Sequence, residues 1–205
     1  MMKAADLPTY YNICDILEHN IEPRGDKTAL LSEQGCLTFR EVSEQVNKVG
    51  NALIRSGVKF GECVAILCPD RPEWVSVFFA TAKIGGVALG LNTLLKIDEY
   101  DHILKDARVK ILVVHDSLLA LVEPIIKKQD TLVEVIIVTD SKSTNYTTFT
   151  EWIDRENSEL DPATTHREDF CSLHYSSGTT GMPKGVLHMH KDYPLIAQLS
   201  GVDLF

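Results

Sequence analysis

The stretch Val64-Ala-Ile-Leu67, followed by Asp70-Arg-Pro-Glu73 and then by Val87-Ala-Leu-Gly-Leu91, has the pattern of one β-α-β unit. The two apolar runs lack the alternation that a half-exposed strand would show, so they predict strands that are buried on both faces. The polar tetrapeptide between them is typical of a helix start, with Asp70 as cap and proline in the first turn, and Gly85-Gly86 marks the end of that helix. Because strands joined through a crossover helix run parallel, the stretch predicts a parallel sheet.

The same rhythm continues along the chain. Further buried strands are predicted at Lys110-Ile-Leu-Val-Val114 and Glu134-Val-Ile-Ile-Val138. The intervening helices are indicated by Tyr100, Ile103 and Leu104, by Asp116 as a cap with Pro124 kinking or ending the helix, and by Thr148-Phe-Thr-Glu151. We therefore expect an α/β fold over residues 60–155, with a doubly wound, mostly parallel sheet flanked by helices.

The remaining parts of the chain are predicted to flank this unit. Residues 1–59 contain a hairpin, Thr28–Ser32 with Cys36–Thr38, and then a capping box at Thr38-Phe-Arg-Glu41. The helix that follows places its apolar side chains on one face: Val42, Val46, Val49 and Leu53. Residues 156–170 are polar and indicate a connecting loop, and residues 171–205 indicate two strands around a glycine-rich loop and a last helix.

The overall composition excludes several classes of protein. The 205 residues are 44% apolar and 24% charged, which is typical of a globular domain. Twenty basic residues against 29 acidic ones give a net charge of −9, which argues against nucleic acid as a partner. No secretory signal or membrane span is indicated. The five cysteines form no C-x-x-C pair, which predicts reduced core thiols in a cytoplasmic protein and no metal site.

Chemistry is concentrated between two further predicted strands, Cys171-Ser-Leu-His-Tyr175 and Val186-Leu-His-Met189. The residues between them are Ser176-Ser-Gly-Thr-Thr-Gly-Met-Pro-Lys-Gly185. Glycine lets backbone amides approach an anion, hydroxyl groups add donors, and a lysine adds a positive charge, so the combination predicts a phosphate-binding loop. It is neither a Walker A loop nor a G-x-G-x-x-G motif. A solvated turn is the alternative.

The segment Tyr175-Ser-Ser-Gly-Thr-Thr-Gly-Met-Pro-Lys-Gly185 resembles the signature loop of the adenylate-forming superfamily, which includes acyl- and aryl-CoA synthetases. Leu37-Thr-Phe-Arg-Glu41 resembles the family's early helix, and Val87–Leu95 is similar to a stretch of benzoate-CoA ligases. The resemblance covers essentially the whole chain. It implies the N-terminal portion of the family's large domain and a two-step reaction. A carboxylic acid attacks MgATP to give an acyl-adenylate and pyrophosphate, and coenzyme A then displaces AMP.

The resemblance also implies roles for single residues of the loop. The hydroxyl groups would donate hydrogen bonds to the phosphates of ATP, and the glycines would offer their backbone amides. A catalytic role in stabilising the leaving pyrophosphate would fall to Thr180 and Lys184. The full set that would bind the nucleotide is Ser176, Ser177, Gly178, Thr179, Thr180, Gly181 and Lys184. ATP, Mg²⁺ and coenzyme A are the implied co-substrates, and no metal-ligating residue is identified.

The chain is less than half as long as the family's enzymes, so we expect an N-terminal fragment that does not catalyse adenylation alone. Its last helix, opened by Asp192 and Pro194, carries an apolar stripe that predicts a homo-oligomer or another partner: Leu195, Leu199, Val202 and Phe205. The alternatives are a stand-alone phosphate- or nucleotide-binding module and a structural remnant without ligand.

Three further features have alternative interpretations. His188 and His190 are two apart on a strand, and structural histidines are favoured over a metal pair because no third ligand is evident. Trp74 and Trp152 are predicted to pack in the core rather than stack on a ligand. Asn92-Thr93 ends a strand, and a turn is favoured over a ligand-facing role.

Overall fold

The computed structural model describes residues 6–128, 130–140, 145–176 and 181–201. Their helices and strands follow in this order: α1 (Asp15–Glu18), α2 (Ile21–Arg24), β1 (Thr28–Ser32), β2 (Gly35–Thr38), α3 (Phe39–Arg55), β3 (Cys63–Leu67), α4 (Pro72–Lys83), β4 (Val87–Gly90), α5 (Ile97–Asp106), β5 (Ile111–His115), α6 (Asp116–Lys127), β6 (Val135–Thr139), β7 (Thr147–Thr148), α7 (Phe149–Ile153), β8 (Phe170–Ser176), β9 (Lys184–Met189) and α8 (Asp192–Gly201).

The main sheet has the strand order β7-β6-β5-β3-β4-β8-β9, and β1 and β2 form a separate hairpin. Every neighbouring pair in the main sheet is parallel except β8 and β9, which are antiparallel. The doubly wound, mostly parallel sheet predicted from the sequence is therefore confirmed.

The sheet is covered by helices on both faces. In β3, Val64 and Ile66 belong to the core on the side of α3, α4 and α7, whereas Ala65 and Leu67 belong to the core on the side of α5 and α6. All five residues of β3 are buried. This two-sided burial is the physical reason why the strand is a continuous apolar run.

The chain leaves the carboxyl end of β3 towards one face of the sheet and leaves the neighbouring strands towards the other. After β3 it enters α4, whereas after β4 and β5 it enters α5 and α6. In open α/β sheets, ligands bind where the connections of adjacent strands diverge in this way. The carboxyl edge beside β3 and β4 is therefore where a ligand crevice is expected, and β8 lies next to it.

Both predicted capping boxes are present. The Thr38 hydroxyl accepts from the Glu41 backbone N–H, and the Glu41 carboxylate accepts from the Thr38 N–H at 2.8 Å. Thr148 and Glu151 form the same arrangement at the start of α7. Each box satisfies amide donors that the first helical turn leaves without intrahelical partners.

Two helix starts differ from the prediction. Helix α4 begins at Pro72 after Arg71, which is extended (φ −138°, ψ 160°) and provides no side-chain cap, so Asp70 as cap is wrong. A residue before proline is pushed out of the helical region, which explains this boundary. Helix α6 is capped by His115, whose Nδ1 accepts from the Ser117 N–H at 3.3 Å, and Asp116 is its first residue.

Pro124 does not end α6, which continues to Lys127. A proline inside a helix removes one backbone hydrogen bond. Val122 and Ile125 on either side of it are fully buried, and their packing holds this part of the helix against the sheet.

Candidate phosphate-binding hairpin

The predicted phosphate loop connects β8 and β9. Ser176 pairs with Lys184, and this pair closes the loop. The sequence predicts Lys184 in the loop and a following strand that begins at Val186, whereas Lys184 is the first residue of β9 in the structure. The lysine is therefore held at the mouth of the loop by strand pairing.

The structure places only part of the predicted site. Ser176, Gly181 and Lys184 are exposed, and Ser176 and Lys184 are cross-strand neighbours. Gly181 has a φ of +126°, a conformation that favours glycine. The other predicted residues lie outside the described residues: Ser177, Gly178, Thr179 and Thr180. Binding of phosphate by the whole set therefore stays a prediction.

The hairpin stem is packed tightly next to Lys184. Tyr175 lies opposite Gly185 in the strand pair. A Cβ at position 185 would come 3.2 Å from Cζ of Tyr175 and 2.9 Å from Cδ1 of Leu173, so a larger residue here would have to displace these side chains. The Tyr175 hydroxyl donates to Oδ2 of Asp106 in α5 at 2.5 Å. Burial and this carboxylate together raise the pKa of Tyr175.

The opposite face of β8 carries a polar cluster that sequence reasoning missed. Ser172 and the Tyr193 hydroxyl are 2.7 Å apart, and Nε2 of His174 lies 3.3 Å from the same hydroxyl. The His174 and His188 rings are 5.2 Å apart. Burial, and then the nearby His188, lower the pKa of His174. Strand alternation along β8 could have grouped Ser172 with His174, but not with Tyr193 of α8.

An open cleft lies at the carboxyl edge of the sheet, where the connections diverge. It is lined by residues from α4, β4, β8 and the loops that follow β3 and β4: Cys68, Pro69, Asp70, Trp74, Gly90, Leu91, Asn92, Thr93 and His174. His174, which lines the cleft, lies two residues before Ser176 in β8. The fold places the cleft beside the mouth of the predicted phosphate loop.

Two of the cleft residues have structural roles that the sequence predicts. Asn92 forms a turn, since its Oδ1 accepts from the Leu94 N–H at 2.9 Å and its carbonyl accepts from the Tyr100 hydroxyl at 2.8 Å. Trp74 packs parallel to Phe78, with ring centroids 5.2 Å apart. Trp74 also forms a wall of the cleft, so packing and a ligand-facing position coincide in this side chain.

The remaining candidates are part of the core or its border. His190 is fully buried, and its Nδ1 accepts from the Ile13 N–H at 3.1 Å, so it is a structural histidine as predicted. His188 lies 3.6 Å from a carboxylate oxygen of Asp192. Trp152 is buried and donates its indole N–H to Ser56 at 3.0 Å. Within the described ranges, no three potential ligands are grouped around a metal position.

Comparisons with known proteins define the class to which this fold and hairpin belong. The family model described as AMP-binding enzyme matches residues 17–203, and the chain belongs to this family. None of the helices in the described ranges has both the length and the apolar character needed to cross a bilayer.

Several individual relatives are aryl-CoA ligases. The 4-hydroxybenzoate–CoA/benzoate–CoA ligase of Rhodopseudomonas palustris is 31% identical over 95% of this chain and 36% of its own length. The benzoate–CoA ligase of Thauera aromatica is 31% identical over 96% of this chain and 37% of its length. The crystal structure of the anthranilate CoA ligase AuaEII with anthranoyl-AMP matches with a TM-score of 0.96 and 51% identity, covering 98% of this chain and 39% of that one. The chain thus spans less than two fifths of the length of these relatives.

Proposed function

We propose that this chain supplies the phosphate-binding N-terminal part of an AMP-forming carboxylate–CoA ligase that acts on a benzoate-type acid. The observation that carries the proposal is the hairpin β8–β9, whose signature loop opens at the carboxyl edge of a doubly wound sheet. The 51% identity with a ligase bound to anthranoyl-AMP, and the relatives named for benzoate and hydroxybenzoate, support an aromatic acid.

The proposed reaction has two steps, and the hairpin acts in the first. A carboxylate oxygen of the acid attacks the α-phosphorus of MgATP, the bond to the bridging oxygen of pyrophosphate breaks, and an acyl-adenylate forms. The thiol of coenzyme A then attacks the acyl carbon, releasing AMP and leaving the thioester. During the first step negative charge grows on the pyrophosphate, and preorganised donors aimed at that charge lower the barrier.

In this proposal the loop residues hold the β- and γ-phosphates. Ser176 and Lys184 stand at its mouth, where the side chains of a closing strand pair are about 5 Å apart. Thr180 and Lys184 stabilise the leaving pyrophosphate, and the other loop hydroxyls and amides complete the donors: Ser177, Gly178, Thr179 and Gly181. The exposed position of Lys184 leaves its ammonium group accessible to an anion.

Binding of inorganic pyrophosphate to the 205-residue chain tests the role of the hairpin. Lys184→Ala is expected to weaken binding by about 10- to 150-fold, because a hydrogen bond to a charged group contributes about 1.5–3 kcal/mol. Isothermal titration calorimetry measures the effect. Lys27→Ala is the matched control, since Lys27 is an exposed lysine in the N-terminal region. Equal affinities of the wild type and Lys184→Ala would contradict the proposal.

A further inference from the structure

Helix α5 contacts both sides of the β8–β9 hairpin, at the loop that connects the two strands. Nε2 of His102 lies 3.2 Å from the carbonyl oxygen of Pro183. The Tyr175 hydroxyl donates to Asp106 at 2.5 Å. Pro183 directly precedes Lys184, and Tyr175 directly precedes Ser176, so each bond is one residue away from the pair that closes the loop.

The spacing of the two side chains suits this double contact. His102 and Asp106 are four residues apart in one helix, so they project from the same face about 6 Å from each other. One of them bonds the arm that enters the loop and the other bonds the arm that leaves it. A single rigid element therefore contacts both sides of the hairpin beside the pair that closes the loop, and it adds to what strand pairing alone fixes.

Helix α5 is itself firmly held. Tyr100, Ile103 and Leu104 are fully buried against the sheet. At the start of the helix, the Glu99 carboxylate accepts from the Lys96 N–H at 2.8 Å. The face that carries His102 and Asp106 is thus fixed relative to the strands, and it can act as a reference for the hairpin.

The acceptor in each of the two hydrogen bonds determines which atom donates. A backbone carbonyl only accepts, so Nε2 of His102 carries the proton in this contact. At the other arm the phenol of Tyr175 donates to a carboxylate, and charge-assisted bonds of this kind are short and strong.

We propose that His102 and Asp106 are positioning residues, which hold Pro183 and Tyr175 so that Lys184 and Ser176 stand at the separation required to bind a polyphosphate. Neither residue touches the ligand in this proposal. The proposal rests on the proposed function, because it assumes that the loop binds the phosphates of a nucleotide.

The test measures the affinity of the 205-residue chain for inorganic pyrophosphate in two pairs of variants. His102→Phe keeps a ring but removes the donor, whereas His102→Gln restores an N–H near the position of Nε2. Asp106→Leu removes the acceptor, whereas Asp106→Asn retains a carbonyl oxygen. The Phe and Leu variants are expected to bind roughly five- to tenfold more weakly, and the Gln and Asn variants within about twofold of the wild type.

His19→Ala is the matched control, since His19 also contacts a backbone carbonyl through a ring nitrogen but lies in the N-terminal region. Thermal denaturation of every variant separates lost positioning from lost folding, because a merely stabilising bond would lower the melting temperature without changing the affinity of the folded chain. Unchanged affinity in the Phe and Leu variants, with weakened binding in Lys184→Ala, would overturn the positioning role and leave the proposed function standing. A wild-type chain that binds no pyrophosphate would overturn both.

Discussion

At the scale of single residues, His190 shows how burial controls ionisation in this protein. The side chain is fully buried, and its Nδ1 accepts the Ile13 N–H. Burial lowers the pKa of His190 to about 4, although Asp169 acts in the opposite direction. The imidazole is therefore neutral in the folded protein at pH 7, and protonation would place a charge in the core.

The lowered pKa of His190 predicts a loss of stability in weak acid. An unfolded histidine titrates near 6.5, so between about pH 6.5 and 4 the unfolded chain binds more protons than the folded one. As the pH falls from 6.5 to 4, His190 alone is thus expected to lower the free energy of unfolding by about 3 kcal/mol. Above pH 6.5 its contribution to the free energy of unfolding is expected to be constant. Urea denaturation at pH 7.5 and 4.5 measures the difference.

The matched variant for this prediction is His190→Asn. The Asn Oδ1 can accept the Ile13 N–H in place of Nδ1, but the amide does not titrate. The variant should therefore lose less stability than the wild type between the two pH values. If both proteins lost the same free energy, the acid sensitivity would come from other groups.

At the scale of elements, the Thr-x-x-Glu pattern proved to be a dependable indicator of a helix start, whereas the aspartates predicted to cap α4 and α6 do not cap them. Thr38-x-x-Glu41 and Thr148-x-x-Glu151 both form the predicted capping boxes. These motifs are dependable because donor and acceptor lie within one helical turn and need no partner from elsewhere. The cap of α6 was missed because His115, a strand residue, takes the capping role through Nδ1.

The cap of α7 provides a test within one short helix. Thr148→Ala removes the hydroxyl that accepts the Glu151 N–H, and a loss of about 1 kcal/mol in the free energy of unfolding is expected. Thr150→Ala changes an exposed threonine in the same helix and should have little effect or a slightly stabilising one, because alanine has the higher helix propensity. Chemical denaturation of the two variants checks this, and equal losses would contradict the assigned cap.

At the scale of the whole molecule, one side of the structure exposes apolar side chains. β9 is the last strand in the order of the main sheet, and Val186 and Leu187 are 49% and 46% exposed. In the adjacent α8, Ile196 and Leu199 are exposed to a similar extent. Two further residues of the predicted apolar stripe, Val202 and Phe205, lie outside the described residues.

This surface predicts self-association of the 205-residue chain through β9. An edge strand with apolar side chains pairs readily with a second copy, and a lysine on the edge opposes such pairing. Leu187→Lys is therefore expected to lower the association constant at least tenfold in sedimentation equilibrium. Leu31→Lys is the control, because Leu31 is 81% exposed in the separate hairpin. A wild-type chain that stays monomeric at high concentration would show that a second copy does not cover this surface.

The sequence alone was sufficient for the class of sheet, the capping boxes and the position of the predicted phosphate loop, because each follows from contiguous patterns such as strand burial, helix periodicity and turn chemistry. The family followed from the resemblance of the loop motif Tyr175–Gly185. The arrangement around the loop could not be read in this way. The contacts of His102 with Pro183 and of Asp106 with Tyr175 join residues 81 and 69 positions apart. Contacts between residues so far apart in sequence depend on which strands become neighbours and on which face of the sheet each helix packs. Both are decided by how the whole sheet buries its two faces.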